Sequence, residues 1–169
     1  MSAGLPAPEV RSVKPYVVAV SLAAGPALAA TAPPRLAVFD FTLVNTSGAV
    51  SSPEELARLH RLSDALRTDL AHRYTVVSTD SVQPDLTGVA SIRGCNGCEL
   101  DLARRVGAQQ VAYGWVQKVS NLILNVNLVI EDAATGRTLH AESVDIRSNT
   151  DESWNRGLRY LLNERMFRD

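Results

Sequence analysis

Cys95 and Cys98 are the only cysteines in the 169-residue chain, and Cys95-Asn96-Gly97-Cys98 holds them three positions apart. That spacing suits several chemistries. In an oxidising compartment the pair closes as a disulfide, stiffening the turn where a long loop meets a helix. A redox-active pair is the second reading, because a helix N-terminus stabilises a thiolate. Glu99 and Asp101 work against it by adding negative charge. A loop also precedes the pair, where a thioredoxin-like arrangement has a strand. Metal binding is the third, since two thiolates make half of a tetrahedral zinc site. No second C-x-x-C exists, so His60, His72, His140 or a second chain would have to complete it. Haem attachment fails because residue 99 is Glu. Two inert free thiols are the remaining possibility. The structural disulfide is the reading the sequence supports best.

Other reactive side chains form no constellation. His60 and His72 share a helix but stand twelve residues apart, too far for one metal on one face. His140 has polar neighbours and reads as surface. There is no G-x-S-x-G elbow and no phosphate-cradling glycine loop. Asp40 interrupts an apolar strand and would need a partner if buried, but one carboxylate is not a dyad. The expectation is a non-enzymatic domain without catalytic residues, metal or cofactor.

Two polar-aromatic segments remain as binding candidates. Gly114-Trp115-Val116-Gln117-Lys118 lies beside Asn121, Asn125 and Asn127, and Asn149–Trp154 opens the last helix. The candidate contact residues are Trp115, Gln117, Lys118, Asn121, Asn125, Asn127 and Trp154. Both tryptophans could instead be packing residues. An Asn-rich strand face left uncovered by a helix would favour a partner surface, where aromatics are enriched.

These residues are positioned by an alternation of elements. Leu36–Thr42 reads as a strand ended by Asn45-Thr46-Ser47-Gly48. Ser52 and Glu55 form a capping box with Pro53 in the first helical position. Leu56, Leu59, Leu62, Leu66 and Leu70 give that helix one apolar stripe to about Arg73. Tyr74–Ser78 is a second strand, 79–94 is irregular, and a short helix near 98–106 ends at Gly107. Val111–Val119, Leu122–Glu131 and Thr138–Ile146 are strands. In the middle one Leu122, Leu124, Val126, Leu128 and Ile130 face one way and the asparagines the other, with Ile123 and Val129 on the amide side. Asn149, with Glu152 three residues on, opens a last helix buried through Trp154, Leu158, Leu161 and Leu162. The order βαβαβββα predicts a single α/β domain with a mixed β-sheet and helices packed on it.

The N-terminus reads as a secretory signal. Arg11 and Lys14 precede the apolar run Tyr16–Ala24, and Ala27-Leu28-Ala29 supplies the small-x-small pattern, so cleavage is expected after Ala29. Residues 1–29 are then the signal peptide, 30–35 an extended lead-in and 36–169 the domain, soluble in a bacterial periplasm. The run is too short to span a bilayer, and no membrane span is expected. No cysteine follows the cleavage point, which argues against a lipid anchor. The chain has 17 basic and 18 acidic residues. Removing Arg11, Lys14 and Glu9 leaves 15 against 17, net −2, which gives no reason to expect nucleic acid. With 46% apolar residues it can build an ordinary core.

Arg35-Leu36-Ala37-Val38-Phe39-Asp40-Phe41, Cys95-Asn96-Gly97-Cys98-Glu99, Gly114–Asn121 and Thr150-Asp151-Glu152-Ser153-Trp154 resemble an uncharacterised family of proteobacterial exported proteins. Some members lie near genes for periplasmic quinoprotein alcohol oxidation, which implies an accessory role. The strand-helix-strand plan is more distantly similar to the TolB N-terminal domain and to the periplasmic domain of the curli-secretion lipoprotein. That resemblance implies a binding or assembly module acting on a periplasmic protein partner or envelope component. It does not extend to a channel, because the lipid-attachment cysteine and pore-forming insertions are missing. The alternative is a thiol–disulfide or metal-handling accessory of a quinoprotein-type oxidation system, with Cys95 and Cys98 carrying the chemistry.

Overall fold

The computed structural model describes residues 1, 3–4, 32–89 and 91–168. Two units are distinguished, residues 1–31 and 32–169, and the expected signal segment with its cleavage point lies outside the described residues. No helix among those residues is long and apolar enough to cross a membrane.

Six strands form one mixed sheet. β1 (Arg35–Val38) lies between β3 (Thr75–Val77) and β4 (Gln110–Lys118), and all three run parallel. β5 (Ile123–Asp132) and β6 (Thr138–Arg147) continue the sheet as an antiparallel meander. β2 (Thr42–Asn45) pairs in parallel with the far half of β4. The helices are α1 (Pro53–Leu70), α2 (Cys98–Arg105) and α3 (Asp151–Tyr160), and α3 runs on into a π-helical turn, Leu161–Met166. The predicted mixed α/β domain is what forms, with one change of order. The single first strand is two.

That break is built into the side chains. Val38 pairs with Ala112 and Thr42 with Trp115, so four steps on one strand oppose three on the other. The extra residue is a bulge, and a bulge reverses which face a side chain meets. Ala37 and Phe39 lie on one side of the sheet, whereas Phe41 turns to the other, beneath α1. The Phe41 amide, lost to the ladder, donates to buried Ser63 Oγ on α1 at 2.9 Å. Gly114 makes room opposite, because a Cβ there would collide with the Phe41 ring and come 2.7 Å from the Asn127 carbonyl. Asp40, at the bulge, pairs with Arg67 and is not buried.

α1 starts as expected. Ser52 Oγ accepts from the Glu55 amide at 3.2 Å, and Glu55 Oε2 accepts from the Ser52 amide at 2.8 Å. Its buried stripe is Leu59, Leu62, Leu66 and Leu70, while Leu56 is exposed, the inward position of the first turn being taken by Glu55. The cap of α3 is Thr150, one residue later than expected, its Oγ1 accepting from the Ser153 amide. Leu122 falls outside β5 at the tip of the β4–β5 hairpin and is exposed.

α1 and α3 cover one face of the sheet. The core there holds Leu36, Val116, Val126, Leu128, Trp154 and Leu158. Gly157 lets α3 approach closely, since a Cβ would fall 2.5 Å from Ile146 Cγ2. On the reverse face, α2 and the 3₁₀ turns Asp80–Leu86 and Ile92–Gly94 enclose a smaller cluster around Phe39, Val82, Leu102 and Val111.

Candidate binding face

The strand registers align side chains into rows on the reverse face. Thr42, Trp115, Asn127 and Ser143 oppose one another across β2, β4, β5 and β6. Val44, Gln117, Asn125 and Asp145 form the next row. Successive strand residues point to opposite faces, so each row shares the side away from α1 and α3. Every member is half-buried or exposed. Ile123 continues the surface opposite Arg147, with exposed Val119 beside it at the end of β4.

This face carries amides and hydroxyls around one aromatic ring, with charged Asp145 and Arg147 along its β6 side. Asn125 Nδ2 donates to Asp145 Oδ1 at 2.8 Å, and Asn127 Nδ2 donates to the Trp115 carbonyl at 3.4 Å. The Arg93 guanidinium stacks over the Trp115 indole, 4.5 Å from its centroid, a cation–π contact. The 3₁₀ turn holding Arg93 leads directly to the cysteines. Arg93 carried no sequence signal, because only the fold of the 79–94 loop brings it to Trp115.

Four of the seven candidates, Trp115, Gln117, Asn125 and Asn127, thus share one surface. The others do not. Trp154 is fully buried under α3, with Arg58 5.3 Å from its ring centroid, out of reach of a docked partner. Lys118 has the parity of the opposite face and is buried in an ion pair with Glu55. Asn121 is at the hairpin tip, where Asn149 Nδ2 donates to its Oδ1 at 3.4 Å.

Lys118 and Asn121 instead line a cleft of about 560 Å³ where the N-terminal ends of α1 and α3 meet, with Ser52, Glu55, Arg58 and Asn149. Burial pushes the Glu55 carboxyl upward, but hydrogen bonds from Lys118, the Ser52 amide and Asn149 outweigh it and hold it below its ordinary value. Arg58 Nε donates to Asp151 Oδ1 at 2.6 Å, and Arg61 Nη2 lies 2.9 Å from Asp151 Oδ2. Those bonds, Arg61 first, lower Asp151 as well. Each charge here has a partner within the protein, and the network ties the two helix starts to β4. Sequence reading found Glu55 only as a capping residue and Asn149 only as the opening of the last helix, and gave no signal for Arg58, because their contacts join positions more than 60 residues apart.

Cys95 and Cys98 are joined as a disulfide. Asn96 and Gly97 between them both take positive φ, 56° and 94°, and Cys98 is the first residue of α2. Glu99 Oε2 lies 3.2 Å from Cys95 Sγ, a negative charge where a stabilised thiolate wants a positive one. The ligand atoms of Cys95, Cys98 and Glu99 fall within 4.8 Å of one another, but sulfurs bonded to each other are not free to ligate. His60 is exposed on α1, His72 is exposed in the turn beyond its end rather than on the same helix, and His140 packs edge-on to Phe167 at 5.1 Å. Tyr113, on the covered part of the reverse face, has its hydroxyl pushed up by burial and by the Glu131 and Glu99 carboxylates.

Solved structures share this fold at low sequence identity. The LpoB C-terminal domain from Salmonella enterica aligns with a TM-score of 0.53 and 19% identity, over 70% of this chain and 85% of that one. Lipoprotein GNA1162 from Neisseria meningitidis aligns at 0.50 and 14%, over 78% and 97%. TolB from Acinetobacter baumannii gives 0.41 and 15% identity, over 80% of this chain and 30% of that one, too loose to argue a shared fold. No curated protein matches the sequence. The family model DUF3280, described as "Protein of unknown function (DUF2380)", matches residues 34–166, and the chain belongs to that family.

Proposed function

We propose that the protein is a non-enzymatic binding or assembly module, exported to the periplasm after cleavage behind Ala29, and that it engages a protein partner through the rows on the reverse face. The observation that carries this reading is the uncovered part of the sheet. A sheet face normally gains stability by burial, yet here Gln117, Asn125 and Asn127 lie beside exposed Val119 and Ile123 with no helix of the described residues over them, and Trp115 is covered only in part, by Arg93. An aromatic ring among amides, edged by aliphatics, Arg93, Arg147 and Asp145, has the composition of a protein-recognition patch. The likeness to a protein named as a lipoprotein supports an envelope setting. The Cys95–Cys98 disulfide serves as a staple, fixing the turn that brings Arg93 onto Trp115.

The test is affinity capture from envelope extract with the mature chain and with an Asn125→Arg, Asn127→Arg variant. The reading predicts a stoichiometric partner with the first and at least tenfold less with the second, at unchanged thermal midpoint. Equal recovery with both would refute the assignment of this face.

A further inference from the structure

β6 closes one side of the sheet and, among the described residues, pairs only with β5. It is ten residues long, whereas β3 at the other side has three. Long edges are usually blunted by proline, by charged side chains, lysine above all, or by bulges. Thr138–Arg147 contains no proline or lysine; its charges are Glu142, Asp145 and Arg147, and Glu142 already pairs with Arg165 at 3.2 Å. Its one irregularity is a bulge at Leu139, between Thr138 opposite Glu131 and His140 opposite Ile130, and residues 140–147 pair in unbroken register.

We propose that this edge pairs with β6 of a second copy, antiparallel about a two-fold axis, making one continuous sheet. This inference is independent of the partner reading above. Two arguments select a second copy. The first is facial matching. Even-numbered Val144 and Ile146 point toward α3, while Ala141, Ser143 and Asp145 belong to the exposed face. Self-pairing keeps the faces matched only where even positions oppose even ones.

The second argument is charge. Two such registers keep all but one residue of the strand paired. One, centred on Glu142, sets two glutamates against each other, which is destabilising. The other is centred on Ser143 and sets His140 opposite Ile146, Ala141 opposite Asp145 and Glu142 opposite Val144; the bulged Leu139, which packs into the core on the α3 side, is the one residue whose face does not match its opposite, Arg147. No charge then faces a like charge. Beside this edge runs a groove of about 360 Å³ with Val144, Ile146 and Gly157 at its floor and half-exposed Tyr160 and Arg156 at its rim. The second copy's Glu142, held by that copy's own Arg165, is carried to that rim beside Arg156, which pairs with Glu152. The polar rows of the two copies join across Ser143 into one doubled surface.

Light scattering on the mature chain over a wide concentration range tests the pairing. The expected result is a mass rising from one chain to two, with amides of 138–147 gaining hydrogen-exchange protection over the same range. Ser143→Lys sets two ammonium groups across the axis at an exposed site and shifts the chain to monomer with its circular dichroism unchanged. Ser143→Cys gives a 143–143 cross-linked dimer on mild oxidation, because directly opposed residues lie within disulfide reach. A one-chain mass at every concentration overturns the proposal, whatever other protein then binds the edge. So does a dimer that Ser143→Lys leaves intact and Ser143→Cys fails to cross-link.

Discussion

Beneath β4 and β5, Val116, Val126 and Leu128 are fully enclosed by α1 and α3, while on the reverse of the same strands Trp115, Asn125 and Asn127 keep contact with solvent. Alternation along each strand produces both surfaces from one stretch of sequence. The difference between them is what covers each. An 18-residue helix and the ten-residue α3 with its π-helical extension span the first. An eight-residue helix and two 3₁₀ turns cover the second only over β1, the first half of β4 and the end of β5. The lesson is a division of labour: the first face stabilises the fold, and the second keeps polar side chains in contact with solvent.

Substitutions on the two faces should therefore differ in what they change. The largest effect is expected from Trp154→Ala, which empties a fully buried site and should cost about 4 kcal/mol in chemical denaturation. Lys118→Ala comes next. It strands the buried Glu55 carboxylate and should cost about 3 kcal/mol, mostly recovered when Glu55→Gln is added. Replacing Cys95 and Cys98 by serine should cost about 2 kcal/mol by the loop-closure estimate for so short a loop, with loss concentrated in α2 by hydrogen exchange. Asn125→Ala with Asn127→Ala should change stability by under about 0.5 kcal/mol, with its effect confined to partner capture.

The covered face should also carry the acid sensitivity. Glu55 and Asp151 titrate below their ordinary values in the folded chain. Their stabilisation is complete above the ordinary carboxylate pKa, about 4, and is lost as pH falls through the lowered folded values. Thermal midpoints measured downward from pH 5 should fall more steeply for the unsubstituted chain than for Glu55→Gln with Lys118→Met. Parallel slopes would remove the network from this role.

Much of the fold was legible because it rests on local signals. The capping box at Ser52, the leucine spacing of α1 and the alternation through Leu124–Ile130 each constrain a few neighbouring residues, and the structure follows them. The break at Asp40 was not legible. It depends on Phe41 meeting Gly114 and Ser63, residues joined to it only by the folded sheet. The candidate face was half legible for the same reason. Parity along β4 and β5 gathered Trp115, Gln117, Asn125 and Asn127, but the same parity sends Lys118 under α1; the helical spacing that put Trp154 in the buried stripe of the last helix was the better guide to that residue, and only tertiary packing brings Arg93 over Trp115.

The most direct test of the two-face account is site-specific photocross-linking in cells that produce the exported chain. A photoreactive residue is placed in turn at Gln117 and Asn125 on the uncovered face and at Asp64 and Thr68 on exposed positions of α1. The account predicts one protein adduct of the same mass from Gln117 and Asn125 and none from α1. Adducts arising only from Asp64 or Thr68 would contradict it and move the recognition surface to the helical side.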